Sequence, residues 1–287
     1  MHSFRFCLIL ITTSLSQVWA FANDPKAQPK LNYEEVKIEN QDIHESSGIA
    51  PSWRYRNMFW THNDSGAKAI IYAIGADGKD HGSVKLEGAT SKDWEDICSF
   101  YKNKTPYLLI ADVGDNAEKR KHLTLMILKE PKPTAKSAKV DQVIKFTYED
   151  GKHNCESVAM DPVTNTVYLV TKKQGRTCGV YSMEIHPTAK NQTLKAKRIG
   201  NIQALLATGM DMSADGKKAI VVTYLLALEF TRSEKETWAQ AFAKEPKQIQ
   251  VPPRSQGESI CYGLDSSTLY LTSEKLPAPL FKLVPNR

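Results

Sequence analysis

The chain has 287 residues, 41% hydrophobic and 24% charged, with 38 Lys+Arg against 32 Asp+Glu for a formal net charge of +6. That is enough apolar material for one large core, and the basic excess is too mild and scattered for a nucleic-acid surface. The densest basic stretch, 129–145, is broken by Pro131 and Pro133 and reads as a solvated loop with an outer strand.

The first 22 residues read as a secretory leader. His2 and Arg5 precede a short apolar run over 6–15, and Ala20-Phe21-Ala22 supplies a small-x-small cleavage pattern. The run falls short of the roughly 20 residues that span a bilayer, so a retained anchor is not expected. This places a signal peptide over 1–22 and a single domain over 23–287, soluble, monomeric, and secreted or periplasmic. Removing Arg5 leaves a mature balance of 37 − 32 = +5.

Residues 33–38 alternate apolar and polar, as one strand does. From there the chain repeats. Glu45, Glu95, Glu156, Thr208 and Glu258 each stand before a strand-like run, at spacings of 50, 61, 52 and 50. A period near fifty with about four strands per unit predicts an all-β fold, a five-bladed β-propeller. The strand candidates of the first unit are 47–51, 58–61, 70–74 and 83–86; those of the second are 97–101, 107–111, 123–128 and 143–148. The third unit has 158–160, 167–171, 180–185 and 194–199, and the fourth 210–213, 219–224, 226–231 and 248–251. The fifth offers only 260–262, 269–272 and 280–284, one strand short. The surplus strand at 33–38 would complete it and close the ring, removing open sheet edges. Six blades remain an alternative if the long second unit hides an irregular one, and a β-sandwich is the other. In 233–244, Trp238 and Phe242 stand four apart and would pack inward together on a helical turn.

Four cysteines follow the leader, and Cys7 leaves with it without a lipobox. Cys98 and Cys261 fall inside inner strands and read as small buried side chains. Cys155 and Cys178 fall at the same end of one unit, which suggests a disulfide in an oxidising compartment.

If the leading residue of each unit opens its innermost strand, Glu45, Glu95, Glu156, Thr208 and Glu258 ring one mouth of the central channel. Carboxylates so close cannot all stay ionised without a counter-charge. Hard oxygen ligands suit calcium, or magnesium, and not zinc. The same residues could instead cap inner-strand amides or pair with Lys172 and Lys173. Second strands return to this rim and bring His62, Asn63, Asp64, Asp112, Asp115, Asn116, Lys172, Lys173 and Arg176, with Glu274 on the last unit. An anionic substrate, phosphate being the commonest, would suit Lys172, Lys173 and Arg176, with His62, Asn63 and Asn116 alongside. Asp64, Asp112 or Asp115 would position a water. The segments 63–66 and 114–116 are equally good turns, and His62 alone also reads as a hydrogen-bonded rim residue.

The motifs Glu45-Ser46-Ser47-Gly48, His62-Asn63-Asp64-Ser65-Gly66, Asp93-Trp94-Glu95-Asp96-Ile97, Asp112-Val113-Gly114-Asp115-Asn116 with Arg120, Thr208-Gly209 and Gln256-Gly257-Glu258-Ser259 resemble a group of exported bacterial propeller proteins. More distantly the chain is similar to calcium-activated nucleotidases (apyrases), five-bladed propellers with one axial calcium. That resemblance implies a calcium held by inner-strand residues at Glu45, Glu95, Glu156 and Thr208, with Lys172-Lys173 as the basic pair that meets a nucleotide. No adenine-stacking aromatic can be assigned. Two functions follow as expectations: a calcium-dependent hydrolase of phosphoesters or phosphoanhydrides, or a non-catalytic propeller whose ion is structural and whose rim binds a protein or glycan.

Overall fold

The computed structural model describes residues 31–173, 175–186 and 189–285; the expected leader lies outside them. A first strand, β1 (Tyr33–Lys37), precedes a series of antiparallel runs. The first run is β2 (Ser46–Pro51), β3 (Met58–Asn63), β4 (Ile70–Gly75) and β5 (Asp80–Glu87), each hydrogen-bonded to the next. The second is β6 (Trp94–Lys102), β7 (Thr105–Asp112), β8 (Leu123–Lys129) and β10 (Gln142–Tyr148). Between its last two strands, β9 (Ser137–Lys139) leaves to pair in parallel with β5. The third is β11 (Cys155–Met160), β12 (Thr166–Thr171), β13 (Thr177–Glu184) and β14 (Asn191–Gln203), and the fourth β15 (Ala207–Met212), β16 (Lys218–Thr223), β17 (Leu226–Thr231) and β18 (Lys247–Gln250). The last is β19 (Ser259–Tyr262), β20 (Leu269–Thr272) and β21 (Pro279–Leu283), and β1 completes it, Tyr33 facing Leu283 and Lys37 facing Pro279. The all-β expectation and the closing strand both hold. Parallel pairing of β10 with β14 joins the second and third runs into one eight-stranded sheet, a contact that repeat spacing does not encode.

The opening strands of the runs form a ring: β2 touches β6, β6 touches β11, β11 touches β15, β15 touches β19, and β19 returns to β2. Crowding at this ring explains its composition. β2, β11 and β15 are buried along their whole length, and they are rich in Ser, Gly and Ala. A Cβ on Gly48 would stand 2.7 Å from the Ile97 amide nitrogen and 2.8 Å from His62 Nε2, so a larger residue would force the two runs apart. Between successive sheets, apolar side chains interleave. Trp60 and Ile71 meet Ile97, Leu108 and Met126 in one cluster, and Leu109 and Phe146 meet Val158 and Leu169 in the next. Outer strands alternate exposed and buried positions, as β5 and β14 show, which is the period-two pattern of a half-covered sheet.

The segment before β18 contains one short helix, α1 (Trp238–Phe242). Thr237 Oγ1 accepts from the Gln240 amide, and Gln240 Oε1 accepts from the Thr237 amide at 2.9 Å, a reciprocal cap. Trp238 and Phe242 pack inward with ring centroids 5.4 Å apart, and Trp238 Nε1 donates to Asp161 at 3.0 Å.

One expectation is corrected here. Cys155 and Cys178 are free thiols, as are Cys98 and Cys261, and all four are buried. Cys155 lies on β11 and Cys178 on β13, with β12 between them. Two strand spacings amount to about 9–10 Å, beyond the span of a disulfide's Cα atoms. The two thiols also belong to different core clusters. Sharing an end of a sheet is not enough to bring them together.

Candidate metal centre

Four ring strands carry the same irregularity. β2 skips Ser47 in its pairing with β3, β6 skips Glu95, β11 skips Glu156, and β15 skips Thr208. A bulge places an extra residue in one strand and re-aims its side chain. Glu258 stands immediately before β19 in the fifth position. The structural repeat therefore runs Ser47, Glu95, Glu156, Thr208, Glu258, and its first spacing is 95 − 47 = 48. Glu45 lies two residues ahead of the register assigned to it above, with its side chain 46% exposed beside His44 Nδ1 at 3.5 Å.

Carboxylates converge at this mouth. One oxygen each from Asp64, Asp93 and Glu95 lies within 4.8 Å of the other two, and the same holds for Asp64, Glu258 and Glu274. Ligands on opposite sides of one calcium stand about 4.6–5.2 Å apart, since each Ca–O distance is about 2.3–2.6 Å. Both groups fit that limit, and Asp64 belongs to both. Glu95 and Glu258 are buried, whereas Asp64, Asp93 and Glu274 are partly exposed.

Burial first, then mutual repulsion, raises the pKa of these carboxyls. Asp64 is pushed up to about 6 by burial, against the Ser65 amide bond, with Asp93, Glu258 and Glu45 adding to the rise. Glu274 goes up to about 8 through burial and Glu258. Glu95 rises well above the ordinary range through burial, Glu156 and Asp64, and Asp93 rises through burial. Groups held partly protonated at neutral pH are ones a divalent cation would ionise.

Glu156 stands beside this cluster but is engaged elsewhere. Lys172 Nζ donates to its Oε2 at 2.5 Å and to Tyr224 Oη at 3.0 Å; Tyr224 in turn donates to Glu258 Oε1 at 2.9 Å, which also accepts from Gln256 Nε2 at 3.0 Å. Burial raises Glu156 to about 7, with Lys172 opposing. The Thr208 hydroxyl donates to the Gly257 carbonyl at 2.9 Å, so it ties β15 to the start of β19.

Asp112 is fully buried, with Arg120 Nη2 at 2.7 Å and the Asp93 amide at 3.3 Å. Asp115 accepts from the amides of Lys119 and Arg120 at 2.8 and 2.9 Å. Its own amide donates to Asn154 Oδ1 at 2.8 Å, and Asn154 Nδ2 donates to Asn116 Oδ1 at 3.0 Å. Asn63 Oδ1 accepts from the amides of His44 and Glu45, both at 3.1 Å, and so positions the chain entering β2. His62 is buried edge-on against Trp94 at 5.5 Å, its Nδ1 on the Asn63 carbonyl at 3.0 Å, and burial lowers it to about 4. Lys173 pairs with Glu118 at 2.7 Å, and Arg176 is exposed. The structure thus brings Asp64 together with Glu95 and Glu258. It holds Asp112, Asp115, Asn63 and Asn116 in loop-ordering contacts.

Sequence reasoning set Glu274 on the rim without counting it as a ligand, and left Asp93 without a role. It gave Asp96 none either. Asp96 is fully buried on β6; its Oδ2 accepts from the amides of Val158 at 2.8 Å and Met210 at 3.1 Å, and its Oδ1 from Ile97 at 2.9 Å. One carboxylate therefore ties β6 to β11 and β15 just below the acidic mouth. The Trp94-Glu95-Asp96 run was the available signal, since two adjacent acids opening an apolar strand have to find partners.

No family model matches the chain, and no curated protein matches it. Among solved structures, a gluconolactonase from Xanthomonas campestris superposes with a TM-score of 0.50 at 10% identity, over 91% of this chain and 99% of that one. Nidogen in its complex with laminin gives a TM-score of 0.48 at 13% identity, over 80% and 73%. At such identities the likeness bears on the fold alone, which is of the propeller type.

Proposed function

We propose that the chain is an exported, five-bladed propeller, each four-stranded run being one blade, that holds a divalent cation at its acidic mouth and uses it to hydrolyse an anionic ester. The observation that carries the reading is Asp64, shared by two carboxylate groups of the size one ion requires. The donor set is all hard oxygen, which favours calcium over magnesium at this ligand number and excludes a preference for zinc. Asp64, Asp93, Glu95, Glu258 and Glu274 would hold the ion. Bound there, it would polarise a substrate oxygen and acidify a water.

The remaining roles fall to the chain's own groups. Asp64 is only partly exposed, so as an ionised ligand it would also accept a hydrogen bond from a water beside the ion and orient it. A cavity of about 470 Å³ adjoins it, lined by His44, Glu45, Asn63, Ser65 and Lys68 among others. Lys68 gives that cavity the cation an anionic substrate would meet, beside the carboxylates of Asp42 and Glu45. A phosphoester or phosphoanhydride is the substrate class this chemistry suits. Lys172 and Lys173 would contribute only by exchanging Glu156 and Glu118 for substrate oxygens.

A second reading has its own support. Lys172, Lys173, Asp112 and Asp115 are all engaged within the protein, as expected of a rim that binds a protein or glycan around a structural ion.

Calorimetric titration of calcium and magnesium into the mature protein tests the shared premise. Binding lost in Asp64→Asn and retained in Glu156→Gln is the expected result; no binding of either ion to the parent overturns it. If calcium binds and phosphoester, phosphoanhydride and lactone substrates are all left intact, the binding-module reading replaces the hydrolase.

A further inference from the structure

A second cavity, of about 270 Å³, lies between the loop that follows β7 and the loop that follows β10. Leu123, Phe146 and Tyr148 give it an apolar wall, while Arg120, Lys121 and Lys152 give it cations. The two loops are tied across it by Lys152 Nζ, which donates to the Lys119 carbonyl at 2.9 Å.

Three of its lining side chains carry a buried polar atom without a partner: Arg120, His153 and Tyr148, whose hydroxyl is buried and unbonded. Arg120 uses Nη2 on Asp112 at 2.7 Å and Nη1 on the Gly114 carbonyl at 2.8 Å, yet its Nε is buried and unbonded. His153 sets Nε2 against Asp150 at 2.8 Å and the Tyr181 hydroxyl at 3.0 Å, yet its Nδ1 is likewise buried and unbonded. Buried polar atoms are normally satisfied, so each such atom calls for an explanation.

Local charge points the same way. Asp115 faces the amides of Lys119 and Arg120, and Asp150 is occupied by His153, Tyr181 and Arg198. Among the described residues no carboxylate pairs with Lys121 or Lys152, both exposed at the cavity's edge. An apolar wall with uncompensated cations at its rim complements one kind of ligand.

We propose that this cavity binds a small organic anion, a planar apolar body bearing a carboxylate or a phosphate. The body would enter the cavity against its apolar wall, and the oxyanion would meet the exposed Lys121 and Lys152 at the rim. The site adjoins the acidic mouth through Arg120 and Asp115, but none of its lining residues is a proposed ligand of the ion, and it needs no metal.

Calorimetry of the full mature chain in EDTA tests it with benzoate and phenyl phosphate as probes. Benzyl alcohol serves as the body without charge, and inorganic phosphate as the charge without body. At least one probe should bind about tenfold or more tighter than both controls, and the Lys121→Gln/Lys152→Gln double variant should weaken it by about tenfold or more. Which probe binds identifies the head group. Absence of binding by both probes, equal binding of inorganic phosphate, or unchanged affinity in the double variant overturns the proposal. Both lysines are exposed, so an unchanged melting temperature verifies the variant's fold, and Lys121→Ala alone serves if it does not. EDTA keeps this result independent of whether the mouth binds calcium.

Discussion

Replacing Asp96 by alanine tests whether one side chain braces the ring. The substitution leaves the Val158 and Met210 amides, which belong to two other ring strands, without their shared acceptor. Each buried donor so stranded costs about 1–3 kcal/mol, giving about 2–6 kcal/mol for the pair. Burial raises the Asp96 pKa well above the carboxylate norm, against the pull of its three amide bonds. Relief of that burial acts in the opposite direction, so the lower half of the span, about 2–4 kcal/mol, is the expected loss. Against a typical total of about 5–15 kcal/mol this is large. Urea unfolding followed by the fluorescence of buried Trp60, Trp94 and Trp238 reads it as a lower midpoint at unchanged slope. Asp96→Asn keeps one acceptor oxygen and should lose less. A loss below about 1 kcal/mol in Asp96→Ala would refute the brace, because it would mean that the two amides find other partners without penalty.

The mouth predicts an inverted pH dependence. Asp64 at about 6, Glu156 at about 7 and Glu274 at about 8 all sit above their unfolded values, so their contribution is complete below about pH 4 and is lost as the pH rises through 6–8. In EDTA the melting temperature should fall from pH 5 to pH 8.5, and calcium should restore it most at the alkaline end; a flat or rising profile in EDTA refutes this. Arg254 is a second destabilising group. Its Nη2 donates to the Thr223 carbonyl at 3.2 Å, but Nε and Nη1 are buried without partners, and burial lowers its pKa to about 10. Arg254→Met should stabilise the protein by about 1–3 kcal/mol, and a lower melting temperature would show that the guanidinium is satisfied in solution.

The strands were legible because alternation and turn residues are local. Residues 226–231 and 269–272 were bounded to the residue, and most other strands gained only one to three residues at an end. The site was legible one residue type at a time. Glu95 and Glu258 announced themselves by position, but Glu45 was aligned with them because it, too, precedes a strand-like run at the fifty-residue spacing. Only the bulge at Ser47 reveals the true register, and a bulge is a pairing event that one strand does not encode. Asp96, Asp93 and Glu274 acquire meaning from neighbours far along the chain, as does the separation of Cys155 from Cys178. The parallel joints of β9 with β5 and of β10 with β14 lie at sheet edges, where composition is permissive.

Ring closure also imposes an order on synthesis. β1 is made first, but its partner β21 is made last, 283 − 33 = 250 residues later. Closing a loop of that size costs about 5 kcal/mol in chain entropy, beyond a constant, and pairings this remote form slowly. Until then β1 must wait in water. It is built to wait: Glu34, Glu35 and Lys37 line a strand that stays largely exposed even after docking, so the idle segment is a poor template for pairing with another chain. β21, with Leu280 and Phe281 buried, has no such protection and emerges only when its partner is already in place.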